Sequence, residues 1–426
     1  MINKISKNIN AYQLFQLLRY ASMIVPTIFL SKYFYSQEHI GIYESFLIFA
    51  SVFSFFWLSA LFSTVLSNSK SHESKEKNIK NAFIAIHLIN VMIIAILVIS
   101  NLFLHYINDK EIICLVLYIF TNNPSFILEH KFLLYTQNKN LVTYGILFFI
   151  IQSFLAAFIV LLHLDIYYLI YLVILFASIR YLVSLFMIYK IKSKFERTEI
   201  IYLLKKSSPL LFSFFIAGIA EYIDAFIIKY SFGNSVLTIY RYGTREIPFV
   251  ILLANALSVS MIPILSSNLN EGLCELKKRS TFLMHLSFMG TILLVLTCKI
   301  WYPLIFNSSF INAVPFFYVS SLLVISRCIF PQTILQSMQE TKALMFFSLL
   351  ELIINIFLSI LLLNIYGAIG VVYGTLIAFS IDKIIQTIYV VYYKKINLAS
   401  FVNLKVYIVY SLTLVLSVVL SAKFIK

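Results

Sequence analysis

The sequence predicts an all-α integral membrane protein with 12 or 13 transmembrane helices, arranged as two six-helix lobes around a central cavity. Three observations lead to this fold. Of the 426 residues, 61% are hydrophobic and only 12% are charged, and the mean hydropathy is +0.92; a soluble domain carries roughly a quarter charged residues. Apolar runs of spanning length recur from end to end, and basic residues gather in alternate short loops. No soluble domain fits between these runs.

A transmembrane helix needs about 20 apolar residues, because roughly 30 Å of hydrocarbon is crossed at about 1.5 Å per residue. By this criterion the chain contains 13 candidate spans, of which the last is the weakest. They cover residues 10–32, 41–67, 81–105, 111–135, 141–163, 166–190, 207–231, 237–267, 280–303, 311–337, 343–364, 367–393 and 404–423. The basic start, Met1 to Asn10, leads into the first span without an A-x-A-like cleavage site, so we predict a retained helix.

The distribution of basic residues predicts the orientation of these helices. The N-terminus and the even-numbered loops contain 19 Lys and Arg residues, whereas the odd-numbered loops contain Lys110, with Lys32 and Lys229 at their edges. The 19 are Lys4, Lys7, Lys70, Lys75, Lys77, Lys80, Lys139, Lys190, Lys192, Lys194, Arg197, Lys205, Lys206, Lys277, Lys278, Arg279, Lys342, Lys394 and Lys395. By the positive-inside rule the N-terminus is cytoplasmic. This placement also argues against nucleic acid as the partner of a chain with net charge +15.

Reporter fusions test this topology. We expect a cytoplasmic fluorophore to be bright, and alkaline phosphatase to be inactive, when either is fused after Lys194, because the flanking basic residues favour the cytoplasmic side. Phosphatase fused in the short loop at Lys110 should be active. An active phosphatase after Lys194 would overturn the topology.

The longest charged linker divides the chain into two similar halves. We predict an N-terminal six-helix lobe over residues 1–190, a basic cytoplasmic linker over 191–206, a C-terminal six-helix lobe over 207–395 and a candidate thirteenth helix within 396–426. A shift of 197 residues aligns Lys32-Tyr33-Phe34-Tyr35 with Lys229-Tyr230-Ser231-Phe232. Both segments lie at the outer junction of the first and second helices of a lobe, which indicates a parallel repeat.

The second lobe opens with Ser207-Ser208-Pro209-Leu210-Leu211, followed by Tyr222-Ile223-Asp224 and Ile239-Tyr240. With the two lobes and the basic linker, these motifs resemble the multidrug/oligosaccharidyl-lipid/polysaccharide (MOP) flippase superfamily, and within its polysaccharide-transport branch the Wzx-type O-antigen flippases. The likeness covers residues 1 to about 395, and the thirteenth segment departs from the usual 12.

The resemblance implies translocation of undecaprenyl-pyrophosphate-linked oligosaccharide, an O-antigen or other surface polysaccharide repeat unit, from the cytoplasmic to the periplasmic leaflet of the bacterial inner membrane. Transport would be driven by an ion gradient and proceed by alternating access. The expected partners are the lipid-linked glycan, membrane lipids, a polysaccharide polymerase and a chain-length regulator.

Several basic residues fall inside predicted helices, where an ionisable side chain costs about 2.5–3.5 kcal/mol and therefore needs a cavity, a partner or a role. We predict that these residues bind the substrate, because guanidinium forks bind phosphate oxygens bidentately. They are Arg19, Arg180, Arg241, Arg245, Lys299 and Arg327. The alternative is that each is neutralised by an acid or carbonyl of a neighbouring helix, or reaches an interface. Glu129, near the end of the fourth span, is interpreted as an interface residue.

Two acids, Glu221 and Asp224, lie three residues apart near the middle of the seventh predicted helix and so share a face. We predict that they hold the coupling ion, a proton or sodium. The alternative is a salt bridge to Arg19 or Arg245 that holds the lobes together.

Three functions remain open: a lipid-linked oligosaccharide flippase, a drug or cation antiporter of the same fold, and a membrane-embedded polysaccharide polymerase. A cation exporter should have an acidic cavity, whereas the intramembrane charges here are mostly basic. A polymerase should present catalytic groups on a large outward loop, and the outward loops are short. No P-loop, HExxH or Gly-rich phosphate motif occurs, and the four cysteines form no C-x-x-C pair. We therefore predict no enzyme activity, no cofactor and no metal site.

Overall fold

Helices are the only regular secondary structure among the residues that the structure describes. These residues are 2–33, 35–68, 72–104, 107–135, 137–191, 193, 196–245 and 248–423 of a computed structural model. The chain divides into two compact units, Met1–Gly218 and Ile219–Lys426. The predicted all-α membrane fold is confirmed.

The first unit contains seven complete helices and the start of an eighth. They are α1 (Ile2–Lys32), α2 (Gln37–Asn68), α3 (His72–Leu104), α4 (Asp109–Ser125), α5 (Ile127–Leu134), α6 (Asn138–Leu161), α7 (Tyr167–Tyr189) and α8 (Arg197–Gly243). The helix α8 begins inside the predicted linker, so residues 197–206 are helical, and the boundary between the units falls within this helix. The lobe boundaries proposed from the sequence stay a prediction.

The second unit contains the end of α8, whose helical backbone is interrupted at Gly233 (φ 79°), and ten further helices. They are α9 (Pro248–Ser267), α10 (Leu269–Leu296), α11 (Cys298–Ile305), α12 (Val314–Ser321), α13 (Leu323–Arg327), α14 (Pro331–Ser337), α15 (Thr341–Tyr366), α16 (Ala368–Ile388), α17 (Leu398–Phe401) and α18 (Leu404–Lys423). A 3-10 turn spans Ser308–Ala313, and a π-helical turn, Tyr389–Tyr393, extends α16.

Nine helical segments within the described ranges are long and apolar enough to cross a bilayer. They are Lys75–Phe103, Asp109–Leu134, Asn138–Leu161, Tyr167–Tyr189, Leu269–Leu296, Ser308–Arg327, Thr341–Tyr366, Ala368–Tyr393 and Leu404–Lys423. The last of these is the predicted thirteenth span. The four other predicted spans fall on α1, α2, α8 and α9, where many side chains lie outside the described set.

Large apolar side chains on these helices point outward. Phe103, Phe154, Leu182 and Phe357 are all more than 60% exposed. Since soluble proteins rarely expose contiguous apolar surface, these faces are suited to lipid contact.

Proline residues mark several helix boundaries. Pro248 and Pro331 are the first residues of α9 and α14. An N–H at that position makes no hydrogen bond within the helix, so a proline there costs none. Pro124 lies in the last turn of α4 and precedes the break between α4 and α5. These three prolines therefore mark helix starts or ends, whereas Pro26 and Pro263 lie inside α1 and α9.

Candidate functional site

Two of the predicted basic residues meet at one buried carboxylate in the first unit. Arg19 on α1 places Nη1 3.3 Å from Oε2 of Glu129, and Arg180 on α7 places Nη1 3.4 Å from Oε1 of the same residue. The Glu129 side chain, on α5, is 3% exposed, and those of Arg19 and Arg180 are 23% and 11% exposed. We call these three residues the arginine cluster.

The break between α4 and α5 supplies the surroundings of the arginine cluster. The Pro124 ring ends the regular hydrogen bonding of α4, and the chain turns at Phe126, whose N–H donates to the Asn123 carbonyl at 3.4 Å. The Phe126 ring lies 4.4 Å from the Arg19 guanidinium carbon and 5.7 Å from that of Arg180. The Arg180 Nη2 also donates to Asn122 Oδ1. The break therefore gives both cations an aromatic face, and gives Arg180 an amide acceptor.

The arginine cluster carries two positive charges and one negative charge, so it keeps a net charge of about +1. The ion pair with Glu129 uses one terminal nitrogen of each guanidinium, and Asn122 uses the other terminal nitrogen of Arg180, whose Nε–H has no hydrogen-bond partner among the described residues. An incoming phosphate could therefore bind the remaining donors of both side chains, or displace the carboxylate altogether. This geometry is suited to a divalent anion such as pyrophosphate.

Glu129 is the residue of this site that sequence reasoning missed. It is 2% exposed and ion-paired with both arginines, a role that its interpretation as an interface residue did not include. The alternative prediction was that an acid of a neighbouring helix neutralises each buried basic residue. The ion pairs of Arg19 and Arg180 with Glu129 agree with that alternative. One feature of the sequence could have identified Glu129. It lies within the apolar span Asp109–Leu134, where a carboxylate requires a buried partner. The substrate role of both arginines stays a prediction.

A second polar group surrounds Asp224 in the second unit. Asp224 on α8 is 4% exposed, and its Oδ1 accepts a hydrogen bond from Ser359 Oγ at 3.1 Å while its Oδ2 accepts one from Thr375 Oγ1 at 2.5 Å. Ser359 Oγ also lies 3.1 Å from Asn355 Oδ1 and 3.4 Å from the Val371 carbonyl. We call Asp224, Asn355, Ser359, Thr375 and the Val371 carbonyl the oxygen cluster.

The donors to Asp224 are all neutral. Ser359, Thr375 and Asn355 each offer it a side-chain hydrogen bond, and Thr375 Oγ1 also lies 3.0 Å from the Val371 carbonyl. One carboxylate among neutral oxygen donors is suited to a single positive charge, as at the discontinuous helices of ion-coupled transporters.

The close approach of α15 and α16 makes this arrangement possible. A Cβ on Gly374 would lie 2.7 Å from the Ser359 backbone nitrogen, and one on Gly370 would overlap the Leu362 carbonyl oxygen. Glycine at both positions therefore lets the two helices touch along their backbones, as small residues do between membrane helices. This contact brings Thr375 and Ser359 to the same carboxylate.

The predicted partner of Asp224, Glu221, has a side chain outside the described residues. Asp224 itself belongs to no ion pair seen in the described part of the chain, and Arg19 pairs with Glu129. Over the same part of the chain, no group of three or more His, Cys, Asp or Glu side chains is placed to hold a metal.

Arg327 lies in a third polar group that sequence reasoning described only in part. Its guanidinium carbon lies 4.5 Å from the Phe379 ring, and the Lys383 Nζ lies 5.3 Å from the same ring. Lys383 is 9% exposed, lies 3.7 Å from Asp382 Oδ2 and donates to Gln332 Oε1 at 3.4 Å. Lys383 was not among the predicted site residues, although its position inside the twelfth predicted span was a signal for it.

The remaining predicted basic residues occupy different surroundings. Arg241 and Arg245 are half-buried, and the Arg245 guanidinium carbon lies 5.4 Å from the Tyr242 ring. Lys299 is exposed on α11. Their four-residue spacing would place Arg241 and Arg245 on one face of a continuous helix, but α8 ends at Gly243, so Arg245 lies beyond it.

Side chains from other helices explain why α8 ends there. The Tyr302 hydroxyl donates to the Tyr242 carbonyl at 3.0 Å, and the Ser320 hydroxyl donates to the Gly243 carbonyl at 3.1 Å. These two hydroxyls satisfy carbonyls that a helix end leaves open. A Cβ on Gly243 would overlap the Ala313 carbonyl oxygen, so only glycine permits this packing.

Comparison with known proteins identifies the fold. No family model matches the chain, and no curated protein matches it in sequence. Among solved structures, a lipid II flippase MurJ in an inward closed conformation superposes with a TM-score of 0.68 at 17% identity, over 97% of this chain and 98% of that one. The MATE transporter VcmN of Vibrio cholerae superposes with a TM-score of 0.60 at 12% identity, over 94% and 100% of the two chains.

A third match is the MATE multidrug transporter DinF-BH, with a TM-score of 0.53 at 16% identity over 91% and 94% of the two chains. These neighbours are transporters and flippases rather than enzymes. At such identities the likeness shows the fold alone. The chain therefore has the all-helical fold of these membrane proteins, and its nine apolar helices within the described ranges make it a multi-pass membrane protein.

Proposed function

We propose that this protein is a flippase of the polysaccharide-transport branch, which moves undecaprenyl-pyrophosphate-linked oligosaccharide from the cytoplasmic to the periplasmic leaflet of the bacterial inner membrane. The glycan is an O-antigen or other surface polysaccharide repeat unit. The N-terminus is cytoplasmic in this proposal, because the basic loops favour that side. A polysaccharide polymerase and a chain-length regulator would act on the product.

The observation that carries the proposal is the arginine cluster. Two guanidiniums from α1 and α7 converge on one buried carboxylate, within 3.4 Å of its oxygens. Such a site is costly in a membrane unless its charge has a use, and a net positive site with spare N–H donors recognises a pyrophosphate. The substrate's sugar would be bound by other groups.

The oxygen cluster supplies the coupling in this proposal. Asp224 would bind a proton or sodium ion while Ser359, Thr375 and Asn355 contribute neutral oxygens. Binding of the ion would then neutralise a buried carboxylate. The free energy of that change is large enough to shift the conformational equilibrium that underlies alternating access. Glu221 remains a proposed second carboxylate of this site.

A drug or cation antiporter is the second candidate, and two observations favour it. MATE multidrug transporters share the fold. Asp224 is a buried carboxylate without a described ion-pair partner, and could attract a cationic substrate as well as a coupling ion. The arginine cluster argues against a cationic substrate in the first unit.

Deleting the gene in the source bacterium separates the two candidates. We expect loss of surface polysaccharide and accumulation of lipid-linked glycan in the cytoplasmic leaflet, both restored by the wild-type gene. The charge on the substrate's pyrophosphate prevents spontaneous crossing of the bilayer, so the defect should be nearly complete. Normal surface polysaccharide together with raised sensitivity to cationic drugs would contradict the flippase and favour the antiporter.

A further inference from the structure

A groove of about 390 Å³ runs along the surface of the first unit between α4 and α7. Its walls are mostly apolar, and the side chains that line it are Lys110, Ile113, Cys114, Leu117, Tyr171, Ile174, Leu175 and Ser178. Its volume lies in the range of small-molecule sites. None of its residues belongs to the arginine cluster, so a ligand bound there would be distinct from one bound at that cluster.

The groove has one polar end. Lys110 is the second residue of α4, and Tyr167 is the first residue of α7; the Lys110 Nζ lies 3.4 Å from the centre of the Tyr167 ring. The two helices therefore start side by side. From Lys110 to Leu117 the groove follows seven residues of helix, or roughly 10 Å.

The walls of the groove are open to lipid. Ile113 is 60% exposed, Leu117 is 50% exposed and Leu175 is 53% exposed. Cys114 is 4% exposed and forms the floor. A hydrocarbon chain lying in the groove would cover apolar surface on both helices and make close packing contacts, which drive association within a bilayer.

The charges at the polar end are mixed. Lys110 is exposed, and so are Asp109 and Asp165. Asp165 Oδ1 accepts the Tyr167 N–H at 2.8 Å, which places this acid beside the aromatic ring under Lys110. Glu111 is buried and accepts from Asn108 Nδ2 at 3.3 Å.

Lys110 also departs from the general distribution of charge in the chain. It lies in an odd-numbered loop, on the side that holds few basic residues, whereas 19 lie on the other side. A lysine on that side is not explained by the orientation rule, which places basic residues in the cytoplasm. An ammonium group at the end of an apolar groove is suited to a charge-assisted hydrogen bond with a lipid phosphate.

We propose that this groove binds one phospholipid with a zwitterionic, primary-amine headgroup, of the phosphatidylethanolamine class. The phosphate contacts Lys110, the ammonium contacts Asp109 or Asp165, and one acyl chain lies between α4 and α7. An anionic headgroup without an amine fits less well, because two exposed carboxylates stand beside the single lysine. The proposal does not depend on which substrate the protein transports.

Native mass spectrometry of the purified full-length protein tests the proposal. The probes are phosphatidylethanolamine, phosphatidylglycerol and phosphatidylcholine with identical acyl chains. We expect one phosphatidylethanolamine per protein to be retained at roughly tenfold lower concentration than either other lipid, because its phosphate and primary ammonium both form charge-assisted hydrogen bonds. Equal retention of the three lipids, or preferred retention of phosphatidylglycerol, would overturn the assignment.

Three variants locate the bound lipid. Lys110→Gln should lower phosphatidylethanolamine retention about tenfold. Asp165→Asn keeps an acceptor for the Tyr167 N–H and should reduce the preference over phosphatidylglycerol. Leu175→Trp fills the groove from α7, at a side chain that is already 53% exposed, and should reduce retention of all three lipids.

Lys32→Gln is the matched control, because Lys32 is another exposed lysine on the same predicted side, at the end of α1. It should bind phosphatidylethanolamine as the wild type does. Wild-type retention in both Lys110→Gln and a folded Leu175→Trp variant would place the lipid elsewhere and end the proposal.

Discussion

A variant in which Arg19, Glu129 and Arg180 are all replaced by glutamine is expected to fold and insert normally but to lose transport of lipid-linked glycan. Removing the three charges together strands none of them, whereas removing a single partner would leave a buried charge uncompensated. The substrate would lose two charge-assisted contacts, worth roughly 3–6 kcal/mol together. We therefore expect a fall of two to four powers of ten in affinity for the pyrophosphate lipid.

Single replacement of the acid gives a different expected result. In Glu129→Gln the competing carboxylate is gone, so substrate affinity should rise, while the two guanidiniums lose their counter-charge and the substrate-free protein should lose about 3–5 kcal/mol of stability. Binding of the lipid should restore that stability. Equilibrium binding and thermal unfolding, each with and without the substrate lipid, measure both effects.

The control for these variants is Arg279→Gln. Arg279 pairs with Glu275 at 2.7 Å on an exposed face of α10, and such a pair contributes little. It should bind and transport as the wild type does. Wild-type transport by the triple glutamine variant would show that the arginine cluster is structural only.

Asp224→Asn is expected to leave substrate binding nearly intact but to make transport insensitive to an imposed proton or sodium gradient. Asparagine keeps an oxygen for one of the two hydroxyls, offers its amide N–H to the oxygen of the other, and removes the charge that would attract the ion. Because Asp224 has no ion-pair partner within the described ranges, its neutralisation should strand no cation there and should not lower stability.

Vesicles with each gradient imposed separately provide the measurement. Thr375→Val, which removes one neutral oxygen and keeps the carboxylate, should weaken the dependence on the ion without abolishing it. If a well-expressed Asp224→Asn, Glu221→Gln variant still responds to the gradient, coupling lies elsewhere, and the next acids to test are Asp382 and Glu351, both in the second unit.

Much of the fold was predictable because the membrane imposes a strong pattern. Apolar length alone located the helices, including the last span, Leu404–Lys423. Helix interruptions were less predictable, since they depend on partners distant in sequence. The end of α8 at Gly243 is fixed by hydroxyls of Tyr302 and Ser320, which no local pattern near residue 243 indicates.

The candidate site shows the same division. An arginine inside an apolar span is conspicuous, so Arg19 and Arg180 were identified from sequence. Their common partner was missed because it lies 110 residues from Arg19 and 51 from Arg180. Asp224 was identified for the same reason as the arginines. Its hydrogen-bond donors Ser359 and Thr375 were not, because only the contact of α15 and α16 brings these two helix residues to the carboxylate.

The measurement that tests the central claim most directly is the appearance of lipid-linked glycan in the far leaflet of vesicles containing the purified protein. Undecaprenyl-pyrophosphate-linked oligosaccharide is placed in one leaflet, and a glycan-cleaving enzyme that cannot cross the membrane reports its arrival in the other. We expect arrival to depend on the wild-type protein and on an ion gradient, and to be absent with the triple glutamine variant. Equal arrival in protein-free vesicles and in vesicles with the wild-type protein would contradict the flippase function.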